Sequence, residues 1–432
     1  MGRQRLVGPC ARPRPERARP RDRCWAGRPV SSLATRVGVV AAISAVVAGG
    51  TGVATAASRP PPGTLTTSLP LATSARTLGG TWATLPMGHL DQPLNTFWQL
   101  MFEPAGSSSW SDRVEATGVA TNGGIVLAAN AKSLVVGVRP SSRLTYSPLI
   151  ATTNSGRSWS TGLVQNGLAH VPSSLAISPS GAALALAPGR RGGREVLISH
   201  AGKAHLVSWE VLLGSRTFAS TAPAERCAPS SFTAVGYAGA APVVGAACGR
   251  AGAAGLFTEL GGHWTPEGPG VPRSAGSAEV LDLVPTGKGV ATVIELHQRG
   301  SATESLLAAW SSDATYWRAS TYLRLPAGER LTSLGPAGGQ GVFVLMTGTG
   351  DKERLAVVNG PGSRSWHYLP APPAETQTVT FGSTGQAQAF ALNQSAIEVW
   401  DLARGGGAGK TRGAGWRQGQ LVHVTIQFGP LG

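Results

Sequence analysis

The chain has 432 residues, 59 of them Gly and 31 Pro, and only 14% are charged. That composition suits a sheet-rich protein with many tight turns. There is no C-x-x-C and no Cys/His cluster, which argues against a structural zinc site. The formal charge of +15 is concentrated in the first 57 residues, so it gives no reason to expect a nucleic-acid partner.

Residues 1–57 hold ten Arg against Glu16 and Asp22; the rest of the chain carries a mild net +7. The basic block leads into "VGVVAAISAVVAGGTGVATAA", an apolar run ending in Ala54-Thr55-Ala56. That ending has the small-x-small spacing a signal peptidase reads. Gly and Thr break the run before it reaches the ~20 residues of a bilayer span. The expectation is a cleaved secretory signal, with an uncleaved N-terminal anchor as the alternative. The protein is then secreted or held at the outer face of the membrane or cell wall. Residues 58–77 read as a Pro/Thr/Ser-rich linker and 78–432 as the folded domain. Of the four cysteines, only Cys227 and Cys248 lie beyond the export segment. They flank the hairpin "SFTAVGYAGAAPVVGAA", and an oxidising compartment would join them.

"MGHLDQPLNTFWQLMFEP", Met87 to Pro104, opens the folded region. Its His89, Asp91 and Asn95 make it the candidate binding loop, against the plainer reading of a solvated loop. From there Trp marks the chain at even steps. Trp110, Trp159, Trp209, Trp264, Trp317, Trp366 and Trp416 are spaced by 49, 50, 55, 53, 49 and 50 residues. Four of the seven follow Ser; none of the other four tryptophans beyond residue 57 does. Between rungs lie pairs of short apolar strands around a Gly turn, such as "LAISPSGAALALA" and "VLDLVPTGKGVATVI". A third strand follows, and then the strand carrying the Trp. Four short strands repeated about every fifty residues predict an all-β fold, a β-propeller. Seven four-stranded blades fit the ladder, six if one rung is spurious. A stack of β-sandwiches is the alternative, and it would not need an even ladder. The N-terminal unit lacks an evident Gly-turn hairpin. The spare strand "LVHVTIQFG" near the C-terminus can therefore complete it and close the ring.

"TTNSGRSW", Thr152 to Trp159, occupies the turn before one rung. A short Asn side chain can hydrogen-bond backbone amides two residues on, Gly supplies an unusual φ, and Trp packs the turn against its sheet. Thr152, Asn154, Gly156, Ser158 and Trp159 resemble the Asp-box, or BNR, repeat of sialidase-like propellers. Other copies are eroded: "SSDATYW" keeps Ser311, Asp313 and Trp317 but lacks the Gly. The resemblance implies a structural role for this turn. It also raises glycoside hydrolysis of the sialidase type, which would need an Arg cluster, a Tyr–Glu pair and an acid/base Asp. The nearest string to that family's first Arg motif is "YLRLP", Arg324 to Pro326. It stands after the fifth rung and reads as a strand-to-turn junction.

Two further strings invite chemistry. "GGGAGKTRG", Gly405 to Gly413, fails the P-loop spacing and joins two strands, so it reads as a surface loop. "IELHQRG" places Glu295 and His297 on one face of a strand, but a third metal ligand is not in view in the sequence. No metal or cofactor is assigned. The functional expectation is an exported, monomeric, non-catalytic binding or assembly propeller whose partner is a protein or a cell-wall glycan. A sialidase-like hydrolase and a structural envelope protein are the alternatives.

Overall fold

The computed structural model describes residues 70–88, 96–113, 121, 123–139, 149–162, 172–189, 192–202, 205–287, 289–298, 304–348, 350, 352–382, 385–393, 396–403 and 415–424. The export segment, most of the expected linker, the loop 89–95 and the Gly-rich string 405–413 lie outside these residues.

Twenty-eight strands alternate in hairpins along the described chain. β1 (Ser74–Thr77), β2 (Gly80–Gly88), β3 (Thr96–Pro104) and β4 (Ser111–Asp112) form the first antiparallel sheet, in that order. β5 (Ile125–Ala129), β6 (Leu134–Val138), β7 (Leu149–Thr152) and β8 (Ser160–Gly162) form the second. β9 (Ser174–Ile177), β10 (Ala183–Pro188), β11 (Arg194–Ser199) and β12 (Glu210–Gly214) form the third. Two short helices, α1 (Ser215–Ala219) and α2 (Ala222–Glu225), follow it.

The next two groups share one eight-stranded sheet. They are β13 (Pro229–Ala238), β14 (Ala241–Cys248), β15 (Leu256–Leu260) and β16 (His263–Glu267), then β17 (Ala275–Thr286), β18 (Gly289–Gln298), β19 (Glu304–Ser311) and β20 (Arg318–Leu325). A two-residue ladder, Ala247 with Glu279 and Cys248 with Ala278, joins β14 to β17. β21 (Arg330–Pro336), β22 (Val342–Thr347), β23 (Glu353–Val358) and β24 (His367–Tyr368) form another four-stranded sheet. β25 (Thr376–Phe381), β26 (Ala387–Asn393), β27 (Ala396–Leu402) and β28 (Trp416–His423) form the last.

Strands in the middle of each group are apolar on both faces, as expected of sheets covered on both sides. Leu134–Val138 and Val342–Met346 are buried throughout. The buried side chains sort into clusters lying between successive groups. One packs Trp98 and Leu100 of the first sheet against Ile125 and Ile150 of the second. Others join the second sheet to the third and the third to the β13–β16 group. Two more flank the β17–β20 group on its two sides. One joins the last two sheets, through Phe343 and Val379. Another packs Phe390, Ile397 and Val399 of the last sheet against Leu85, Met101 and Trp110 of the first.

The Trp ladder has a common position. Each of its seven members lies at or within one residue of the start of the fourth strand of its group. Each packs toward the preceding group. Trp159 stands edge-on to Trp82 of the first sheet at 5.9 Å. Trp416 donates its indole N–H to the carbonyl of Pro370, and Trp366 donates to that of Thr321. Trp110 meets the last sheet: its ring is edge-on to Phe390 at 4.8 Å, its amide donates to Gln420 Oε1, and its indole donates to Gln388.

Two expectations about the ends of the folded region are corrected. The first sheet draws all its strands from residues 74–112, and the hairpin between β1 and β2 turns at Leu78-Gly79. Gly80, at φ +152°, lets β2 begin where a Cβ would lie 2.0 Å from the carbonyl oxygen of Glu103. The "LGG" of this hairpin is the turn that looked missing in the sequence. With that place filled, Leu421–His423 pair with Ala396–Glu398 inside the last sheet and not with the first. The sheets also take in residues before 78, since β1 is Ser74–Thr77. Pro70–Thr73 lie among the innermost strands, with Ala72 bridged in parallel to Ser333 and Pro70 against Gly124.

Cys227 and Cys248 are joined in a disulfide with their Cα atoms 4.9 Å apart. Pro229, two residues after Cys227, pairs in register with Cys248, so the β13–β14 hairpin itself brings the sulfurs together. Among the described residues no helix is long and apolar enough to cross a membrane.

Candidate functional site

The first strands of the groups (β5, β9, β13, β17 and β21) face a common central space. There they line a cavity of about 710 Å³, bounded on one side by Pro70, Leu71 and Thr73. Its charge is divided. Arg139, just after β6, and Arg194, at the start of β11, come from the second and third sheets. Glu279, Asp282, Glu295 and Glu304 come from the β17–β20 group, with Glu329 just before β21 and one further cation, Arg330, at its start.

The environment acts differently on the two walls. Arg139 is almost fully buried, and burial, followed by the like charge of Arg194, holds its pKa down to about 10. Arg194 is lowered by burial, partly offset by Glu279, and donates to Ser173 Oγ at 2.9 Å. Like charges that act on each other cost less when an anion joins them. On the opposite wall burial raises Asp282 to about 6, although its carboxylate accepts the Leu283 amide at 2.8 Å. Burial, then a hydrogen bond shared with Glu304, raises Glu295 to about 8.

Glu295 and His297 share a face of β18, and β19 supplies the third group that the sequence reading did not find. His297 is in register with Glu304 across the hairpin. His297 Nε2 is 3.8 Å from Glu295 Oε2, and its Nδ1 is 3.4 Å from Glu304 Oε1. A symmetric hairpin drawn through "HQRGSATE" would have placed these residues opposite each other. Arg139 and Arg194 carried no such signal, because they stand on different sheets and meet only in the folded chain.

His89, Asp91 and Asn95 lie outside the described residues. The turn Thr152–Trp159 contributes no residue to the cavity lining and is wired to itself. The Thr152 hydroxyl donates to Asn154 Oδ1 and accepts the Gly156 amide; Asn154 Oδ1 also accepts the Ser158 amide, and its Nδ2 donates to Ser158 Oγ. The eroded copy at Ser311–Trp317 repeats the scheme. The Asp313 carboxylate accepts the amides of Tyr316 and Thr315, which hold its pKa down to about 2. The residue three before the Trp is left-handed in four copies: Gly156, Leu206, Gly261 and Ala314, at φ +78°, +63°, +59° and +64°. Ala314 thus takes the backbone role of the glycine that this copy lacks.

This succession of packed four-stranded antiparallel groups is that of a β-propeller. No family model matches the chain, and no curated protein matches it. Among solved structures it is similar to the β-propeller domain of the Trilobed protease from Pyrococcus furiosus (8% identity, 81% of this chain and 97% of that one, TM-score 0.43). It is also similar to the SapL1 lectin in complex with α-methyl fucoside (12% identity, 71% and 98%, TM-score 0.43) and to YCF48 bound to D1 peptide (14% identity, 76% and 90%, TM-score 0.39).

Proposed function

We propose that the chain is a seven-bladed, closed propeller that works outside the cytoplasm as a non-catalytic binding or assembly module. The ring reading is supported by the cluster and the Trp110 contacts that join the first sheet to the last. The eight-stranded sheet counts as two blades, because only a two-residue ladder joins its halves. Export is supported by the basic-apolar-small pattern of residues 1–57 and by the disulfide, which belongs to oxidising compartments. The hydrogen-bonded turn at Thr152–Trp159 supports kinship with the Asp-box propellers.

The observation that carries the functional reading is the central cavity with its charge divided between two walls. Such a site takes a ligand with an anionic group at Arg139 and Arg194, either an acidic peptide segment or an anionic cell-wall glycan. Sialidase chemistry would need a Tyr paired with a carboxylate, and among the described residues no tyrosine lines this cavity. The test is to probe glycan and peptide arrays with the full chain and then with Arg194→Gln. Saturable binding to an anionic probe, weakened at least tenfold by Arg194→Gln, is the expected result. Release of sialic acid from a fluorogenic substrate would replace this reading with hydrolysis.

A further inference from the structure

We propose that Glu295, His297 and Glu304 bind one divalent transition-metal cation, Zn²⁺ or Mn²⁺, at the edge of the central cavity. One ligand atom from each of the three lies within 4.8 Å of the others. Donors held ~2.1 Å from a common ion sit roughly 3–4 Å apart, so small side-chain rotations bring this trio onto one centre. All three are half-exposed, which leaves a path for the ion.

The positions are fixed by the sheet. Glu295 and His297 are two residues apart on β18, and the pairing of His297 with Glu304 brings β19 to the same face. A strand pair is a rigid base for ligands, unlike a loop. A second observation comes from outside the trio. The side chain of Glu329 is nine-tenths buried and lines the same cavity. Its Oε1 accepts from Arg354 at 2.6 Å, while its buried Oε2 has no hydrogen-bond partner among the described residues. A cation bound by the trio would let Glu295 and Glu304 ionise together, and their oxygens, which then only accept, would ligate it.

The donor set decides the class of ion. One imidazole with carboxylates suits Zn²⁺ or Mn²⁺, whereas Ca²⁺ and Mg²⁺ prefer oxygen ligands alone. The trio comes from β18 and β19 and includes neither Arg139 nor Arg194, so failure of this proposal leaves the anion-binding reading untouched.

The test uses the full chain without an affinity tag, stripped with a chelator and dialysed. Mn²⁺ is titrated and followed by the paramagnetic resonance of the free ion; Zn²⁺ is titrated by calorimetry. One equivalent is expected to bind saturably. His297→Ala and Glu304→Gln are each expected to weaken it at least tenfold, with circular dichroism showing an unchanged strand signal. Glu304→Gln keeps the side chain's size and serves as the milder variant. No saturable binding by the wild-type chain overturns the proposal, and so does binding that neither substitution weakens.

Discussion

Asp282 shows how a single residue of the cavity wall tunes the stability of the whole. Burial raises its pKa from the ordinary 3.8 to about 6. Between those values the folded chain binds more protons than the unfolded one, so its contribution to stability falls as pH rises from 3.8 through 6. Above pH 6 the carboxylate is ionised and its desolvation cost is fully present. Asp282→Asn, which keeps an acceptor for the Leu283 amide, should be more stable than wild type at pH 7.5 by about 1–2 kcal/mol. The gap should close near pH 4. Urea denaturation at both pH values reads the difference; a gap that does not change with pH contradicts the assignment. At the same scale, the turn before Trp159 was legible residue by residue, because its hydrogen bonds run within eight consecutive positions. The left-handed backbone of Leu206 and Ala314 was not legible. Neither residue type announces a positive φ, and each adopts it because packing and its turn require it.

Among the elements, the β13–β14 hairpin has the most distinctive construction. Its disulfide closes a loop with a sequence separation of 21, and both cysteines are buried in the cluster with Phe218 and Phe232. In the chain-entropy model a loop of this size contributes ~3 kcal/mol. The double variant Cys227→Ala/Cys248→Ala should lose about that much, seen as a lower denaturant midpoint. Intact mass with and without reductant should show the native pair oxidised. The hairpins themselves were readable from alternating apolar residues around Gly, and so was the third strand of each group. The fourth strands were marked by Trp alone, since some are only two residues long, as Ser111–Asp112 and His367–Tyr368 are. The first hairpin was missed for a related reason. β1 is four residues, SART, without apolar alternation, and it looked like the end of a linker.

At the scale of the molecule, the repeat of four-stranded groups was readable, because an even ladder requires a repeated unit. The cavity was not, since its walls come from strands separated by up to two hundred residues and no local pattern records their meeting. The seam between the first and last sheets is where the proposed ring is most exposed to test. Trp110 is 2% exposed there and couples to Phe390, Gln388 and Gln420. Trp110→Ala should cost about 3–5 kcal/mol. Trp264, only partly buried at an outer strand, should cost less when replaced in the same way. Thermal unfolding of the two variants makes the comparison. Equal losses would mean that the seam bears no special load.

The two-residue ladder between β14 and β17 makes the molecule mechanically uneven. Backbone hydrogen bonds cross from one group to the next there, and a covalent crosslink sits at Cys248, on the ladder itself. The seam between first and last sheets has side-chain packing and isolated contacts such as Arg76 to the carbonyl of Gly382. A pulling force on residues 70 and 424 would load the Ala72–Ser333 bridge and that seam first and peel the sheets away from both ends. The pair of groups in the middle, joined through the backbone, would part last. The wall that carries Glu279 and Glu295 would thus be the last portion of the cavity to lose its shape under tension.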